Sequence, residues 1–199
     1  MCFLCCAGKP LAFARTVDIP RAVENMRYFA EFGRHFPSEA HPSESGGFHY
    51  SSRRPAGVVC LITPWNLPLY LLTWKLAPAL MMGNAVVAKP SEITPSTATL
   101  LAGLLQELGV PRGVFNVVHG TGPRTGAPLL EHRDIAAVSF TGGTATGALV
   151  ASAAGRSFKK LSLELGGKNP NIIFAGNLPS LYSYTNPPLT HTLCAQTAT

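Results

Sequence analysis

Charge is scarce in this sequence. Asp, Glu, Lys and Arg together make up 13% of its 199 residues, about half the share usual in soluble domains. A surface that poor in charge implies that part of it is covered in the working molecule. Basic runs are missing as well. The net charge is +6, yet only Arg53-Arg54 and Lys159-Lys160 are adjacent, and no aromatics interleave them. That argues against a nucleic-acid partner and leaves a scattered positive balance that suits small phosphate-bearing molecules. No disulfide framework is legible, because the cysteine count is odd, five, and Cys2, Cys5, Cys6, Cys60 and Cys194 follow no regular spacing. No second Cys/His pair stands in register, so no metal is expected. Each apolar run is cut by Pro, Gly or Trp-Lys, so no membrane span is expected. The opening Met-Cys-Phe-Leu-Cys-Cys is too short for a secretory signal and has no preceding positive charge. A reducing, cytoplasmic setting is the default.

What the sequence does have is enough chain for one domain with a sizeable core, 46% of it apolar. Residues 9–36 predict a helix, with Val23, Met26, Tyr28, Phe29 and Phe32 on one side and Arg21, Glu24, Arg27 and Glu31 opposite. Pro20 suits its first turn, and Asp18 reads as an acidic start signal. Between 37 and 54, Pro, Ser, Gly and His dominate, and Gly46-Gly47 marks a tight turn. Phe48 and Tyr50 alternate with His49 and Ser51, so this half reads as an exposed strand, either a surface hairpin or an edge used for assembly.

From Gly57 the pattern alternates. Short apolar runs at 58–62, 85–88, 114–118 and 135–140 predict strands, the first a continuous run as in a strand buried on both faces. Helices are expected over 69–82, 96–108, 125–131 and 145–154, with Leu100, Leu101, Leu104, Leu105 and Leu108 of the second turned inward. Leu161, Leu163 and Leu165 alternate with Ser162 and Glu164 as a strand with one apolar face, and 171–174 reads as one more. Strands and helices in this alternation predict an α/β fold built on a doubly wound parallel sheet. The domain is expected over 8–174. Residues 175–199 contain no Asp, Glu, Lys or Arg, three prolines and five threonines, and read as an unpatterned, disordered tail.

The chemistry-bearing residues fall at strand ends, where open α/β sheets bind ligands. Glu164 ends its strand just before Gly166-Gly167; it is either a functional carboxylate or an ordinary solvated one. Asn66, in Pro64-Trp65-Asn66, either donates an amide N–H to a developing oxyanion or makes an Asx-turn. In Lys89-Pro90-Ser91-Glu92, Lys89 suits ribose or phosphate oxygens and Glu92 suits two ribose hydroxyls, unless the loop is merely solvated. Phe140-Thr141-Gly142-Gly143-Thr144 opens a helix, so its free N–H groups suit a pyrophosphate. It lacks the common G-x-G-x-x-G spelling.

Ile62-Thr63-Pro64-Trp65-Asn66, Ala88-Lys89-Pro90-Ser91-Glu92, Gly120-Thr121-Gly122-Pro123, Phe140-Thr141-Gly142-Gly143 and Leu163-Glu164-Leu165-Gly166-Gly167-Lys168 occur in the order seen in NAD(P)-dependent aldehyde dehydrogenases. Over residues 8–174 the chain resembles that family, and 64–72 with Trp74-Lys75 resembles one branch of it. The resemblance implies a Rossmann-like NAD-binding domain and oxidation of an aldehyde substrate to a carboxylate, with NAD as cofactor. It implies a general base at Glu164 and an oxyanion donor at Asn66. Cofactor contacts would come from Ile62, Thr63, Pro64 and Trp65; from Lys89 and Glu92 at the adenosine ribose; and from Gly120 and Gly122 on the adenine side. Thr141, Gly142 and Gly143 would lie near the pyrophosphate and nicotinamide, with Leu165 and Gly166 beyond. It also implies that the hairpin at 42–54 joins subunits, in a homo-oligomer or with full-length family subunits.

The departures carry equal weight. The family nucleophile is a cysteine in a Gly-Gln-x-Cys context a few dozen residues past the Glu164 position. Here Cys194 follows Thr192-Leu193, without Gly-Gln. The expectation is therefore a truncated form with the catalytic domain missing, or a non-catalytic NAD-binding or subunit-interaction module that modulates full-length enzyme.

Overall fold

The computed structural model describes residues 8–168. Helical backbone comes first among the described elements: Leu11–Phe13 leads through a π turn, Ala14–Asp18, into α1, Ile19–His35. Pro20 lies in the first turn of α1, as expected, but Asp18 is no start signal. It makes no capping bond, and its carboxylate is fully buried against the Lys9 ammonium at 2.5 Å. The face that α1 buries also differs from the expected one. Ala22 and Asn25 are buried, Met26 and Phe29 are half-buried, and Val23, Tyr28 and Phe32 remain exposed.

The hairpin is β1, Ala40–Pro42, paired antiparallel with β2, Phe48–Tyr50. It turns through Gly46, whose φ of 82° is backbone that side chains resist. The sheet follows: β3 (Val58–Ile62), α2 (Pro68–Met81), β4 (Ala85–Lys89), α3 (Ser96–Glu107), β5 (Phe115–Val117), a π turn at Gly122–Gly126, α4 (Ala127–Glu131), β6 (Ile135–Gly142), α5 (Thr144–Gly155) and β7 (Lys160–Leu165). Its order is β5-β4-β3-β6-β7, with every neighbouring pair parallel. The doubly wound parallel sheet is thus the observed architecture. The strand expected at 171–174 and the tail at 175–199 lie outside the described residues.

Alternation along β3 explains the two layers. Val59 and Leu61 join Leu72, Leu76, Val86, Ala98 and Leu105, a core shared with α2 and α3. Cys60, pointing the other way, joins Leu130, Ile135, Val138, Phe140 and Val150, shared with α4 and α5. Asn84 anchors the start of β3, its Oδ1 accepting from the N–H groups of Ala56 (2.7 Å) and Gly57 (3.2 Å). α3 departs from expectation: Leu105 is buried and Leu101 packs against the core, but Leu100, Leu104 and Leu108 are exposed. Among the described residues, no helix is long and apolar enough to cross a membrane.

Candidate functional site

The sheet reverses its winding between β3 and β6: β4 and β5 run outward on one side of β3, and β6 and β7 on the other. Ligands in open α/β sheets bind outside the carboxyl ends of the strands at such a switch point. The register brings the expected residues to that edge. Ile62 is paired with Lys89 on one side and Phe140 on the other, and one row further out Thr141 is paired with Glu164 and Gly142 with Leu165. β6 runs two residues past its expected end at 140, which carries Thr141 and Gly142 into the sheet.

Two hydroxyls at this edge have no protein partner. Thr63 Oγ1 and Thr141 Oγ1 are buried without a hydrogen bond, a state that costs about 1–3 kcal/mol in a dry interior. Thr63 itself is tied down, its N–H donating to the Lys89 carbonyl at 3.2 Å. Unpaired polar atoms at a ligand edge are what an incoming polar molecule would satisfy.

Lys89 ends β4 almost fully buried. Its ammonium donates to the Pro90 carbonyl at 3.1 Å and to Glu92 Oε2 at 3.4 Å. Glu92's own backbone N–H and the Lys89 ammonium hold the Glu92 carboxyl below the usual carboxylate range, against its slight desolvation. The pair therefore offers a donor and an ionised acceptor side by side. Gly120, with φ of 142°, lies so close to Thr125 that an added Cβ would stand 2.0 Å from the Thr125 hydroxyl. Gly122 begins the π turn.

Gly142 and Gly143 bring a helix start close to the edge. A Cβ at Gly142 would meet the Phe140 ring at 2.5 Å. Gly143 is the residue capping α5, with no side-chain capping bond, so the first-turn N–H groups lack an intrahelical or side-chain acceptor. Asn66 lies exposed before α2, with Trp65 and Pro64 upstream. Its Oδ1 accepts from the Leu67 N–H at 3.0 Å. The local turn and the outward donor are thus compatible, because the carbonyl serves the backbone and the NH₂ is left to donate. Glu164 stands on exposed β7 and accepts from the Lys168 ammonium. That bond, and the charge behind it, hold its carboxyl below the usual range. Leu165 and Gly166 follow, half-buried.

Lys75 belongs to none of the strand-end motifs. It lies on α2, buried, donating to Ser139 Oγ of β6 at 3.0 Å. The available signal was a lysine inside the otherwise apolar helix 68–81. Burial pushes its ammonium from 10.5 down to about 8, opposed by the Glu164 carboxylate and reinforced by Lys168. Between about pH 8 and 10.5 the unfolded chain keeps a proton that the folded chain has shed, so stability rises with pH through that window. Below it the folded state bears the full cost, about 3 kcal/mol at 1.36 kcal/mol per pKa unit. Lys75→Met is expected to be about 1–3 kcal/mol more stable than the unmodified chain at pH 7, with the advantage shrinking toward pH 10. Urea melts at the two pH values check this; an advantage that grows with pH would contradict it.

The model of the aldehyde dehydrogenase family matches residues 4–178. The 2-aminomuconic semialdehyde dehydrogenase of Homo sapiens is 55% identical over 84% of this chain and 34% of its own length, in keeping with the branch that 64–72 and Trp74-Lys75 resemble. Aldehyde dehydrogenase, cytosolic 1, of Mus musculus is 47% identical over 85% of this chain and 34% of its own. Among solved structures, PnpE in complex with nicotinamide adenine dinucleotide superposes with a TM-score of 0.83 at 42% identity, over 86% of this chain and 35% of that one. The chain thus spans about a third of the length of the relatives it matches. On the family match, the fold and the ordered strand-end motifs together, this chain belongs to the aldehyde dehydrogenase family.

Proposed function

We propose that this chain is the NAD-holding part of an oxidoreductase that converts an aldehyde to a carboxylate. The observation that carries the reading is the convergence, in the last rows of the sheet, of two unpartnered buried hydroxyls, Thr63 and Thr141, with the Lys89–Glu92 pair. These groups fit NAD. Lys89 would donate to ribose oxygens and Glu92 would accept from two ribose hydroxyls. Gly120 and Gly122 would leave room on the adenine side, and the α5 start at Thr141, Gly142 and Gly143 would take the pyrophosphate. Ile62, Thr63, Pro64, Trp65, Leu165 and Gly166 would border the nicotinamide end. When bound, NAD supplies the hydride acceptor. The Asn66 NH₂ would donate to the oxyanion that develops on the aldehyde oxygen. Glu164, held ionised by Lys168, would take the proton of a thiol or hydrolytic water. A cytoplasmic setting is supported by the likeness to a cytosolic relative.

Cofactor choice tests this reading. Glu92 meets a 2′-phosphate as a like charge, so calorimetry is expected to give NAD at least about tenfold tighter binding than NADP. Glu92→Gln is expected to bring the two within about threefold, since a neutral amide no longer repels the phosphate. Equal affinities in the unmodified chain would remove Glu92 from that role.

The hairpin favours a second reading, a subunit-interaction module. Phe48 and Tyr50 are 68% and 75% exposed on a two-stranded sheet, a free edge suited to pairing with another chain. In that case the chain would modulate full-length subunits without turnover of its own.

A further inference from the structure

The fold of the hairpin pairs two imidazoles. In the register of β1 against β2, His41 stands directly opposite His49, with Ala40 opposite Tyr50 on one side and Pro42 opposite Phe48 on the other. Side chains alternate between the faces of a ribbon, so both imidazoles rise from one face and the four flanking side chains from the other. The pairing is fixed two residues to either side. The Ser51 N–H donates to the Glu39 carbonyl and the Ser43 N–H to the Gly47 carbonyl, each at 2.8 Å. His41 and His49 therefore share a hydrogen-bonded rung, with Cα atoms about 5.5 Å apart. Pro42 falls on the next, non-bonded rung, where its missing N–H costs the ladder nothing. Both histidines are exposed. His119 contacts Thr99 Oγ1, and His132 Nδ1 accepts from the Asp134 N–H. The imidazoles of His41 and His49 have no such partner among the described residues.

We propose that His41 and His49 form a chelating site for a divalent late transition-metal ion such as Zn²⁺, each ring giving one nitrogen lone pair. Imidazole is a preferred ligand of such ions. Side chains directly opposite on a ribbon have Cβ atoms about 5 Å apart. Two exposed rings on that footing can turn one nitrogen each to about 3 Å of the other, the spacing of two ligands that stand about 2.0–2.1 Å from one zinc. The metal displaces any proton from the nitrogen it takes, so the site does not depend on the charge or tautomer of the free rings. No third His, Cys, Asp or Glu joins the pair among the described residues, so water completes the coordination. The site lies apart from the carboxyl edge of the sheet, since Ala40 and Tyr50 on the other face adjoin Met81 and Met82 at the end of α2. It is independent of the NAD reading.

The test is calorimetry with Zn²⁺ on the full 199-residue chain, its thiols alkylated beforehand with iodoacetamide so that cysteines do not compete. His41→Gln, His49→Gln and the double variant are compared with the unmodified chain; each exchanges an exposed ring for an exposed amide. Each single variant is expected to weaken Zn²⁺ binding by at least about tenfold, because losing either ring ends the chelate. The double variant is expected to fall no more than about threefold further, since one ring alone holds little. Ala40→His added to His41→Gln restores an imidazole on the opposite face of the ribbon and is expected not to recover the affinity. The inference is overturned if the unmodified chain binds no Zn²⁺, or if either single variant binds it within about threefold of the unmodified chain. It is also overturned if the two losses multiply in the double variant, as for ligands that act independently, or if Ala40→His recovers the affinity, which would make the number of imidazoles decisive and not their register.

Discussion

Mixed with NAD and an aldehyde, the 199-residue polypeptide should form no NADH above background. Hydride leaves the aldehyde carbon only after a nucleophile has added to it, and in this chemistry the nucleophile is a thiolate. Cys60, the one cysteine among the described residues, is unsuited to the task. It is fully buried inside β3, between neighbouring strands, and burial pushes its thiol up to about 12 even though Lys159 and Lys89 pull the other way. At pH 7 about one such thiol in 10⁵ is ionised, and the core gives no path for an aldehyde to reach it. Cys2, Cys5, Cys6 and Cys194 lie outside the described residues, and Cys194 lacks the Gly-Gln context that the family resemblance sets before the nucleophile. The roles proposed for Asn66 and Glu164, oxyanion donor and base, would not substitute, since both would act only once a nucleophile has added. The check is a continuous absorbance assay with several aldehydes. NADH formation that vanishes in Cys194→Ala would overturn the expectation and make that cysteine catalytic.

The second large effect is on association. The polypeptide should self-associate and melt at low temperature, because many large apolar side chains are exposed. Phe48 and Tyr50 project from the hairpin, Leu100, Leu104 and Leu108 form a stripe along α3, and Phe158 is 95% exposed at a backbone φ of 51°. An exposed patch of several hundred Å² is already large for a soluble monomer. At about 25 cal/mol per Å², covering even 300 Å² is worth roughly 7 kcal/mol, comparable with a domain's whole stability. The sparse charge, 13% of residues, gives little repulsion between copies. Light scattering after size exclusion is expected to give a mass above one chain. Phe48→Ser with Tyr50→Ser should lower that mass if the hairpin edge is the contact. A monodisperse monomer melting cooperatively above about 55 °C, within the usual mesophile range, would contradict both halves of the expectation.

Much of the fold was legible because its signals are local. The apolar run at 58–62 is β3 residue for residue, since a strand buried on both faces needs no alternation. Helix α3 shows where locality fails. Leu100, Leu104 and Leu108 form one stripe and Leu101 and Leu105 another, about 100° away. The sheet covers only the second, and the sequence holds no preference between them. The π turns at Ala14–Asp18 and Gly122–Gly126 were invisible for a similar reason, as one extra residue per turn leaves no mark in composition. Of the site, Asn66, Lys89, Glu92, Thr141 and Glu164 stood out because each is polar at a strand end. Lys75 did not, because its meaning comes from Ser139, 64 residues away.

The switch-point edge of this sheet is the place proposed to hold NAD. Hydrogen exchange read by mass spectrometry, with and without NAD on the 199-residue chain, tests it most directly. Slowed exchange is expected in peptides covering 62–66, 89–92, 120–126 and 141–147, with the hairpin at 40–50 unchanged. Protection confined to the hairpin or to the amino ends of the strands, near Val58, Ala85 and Ile135, would contradict it, as would no protection anywhere at millimolar NAD.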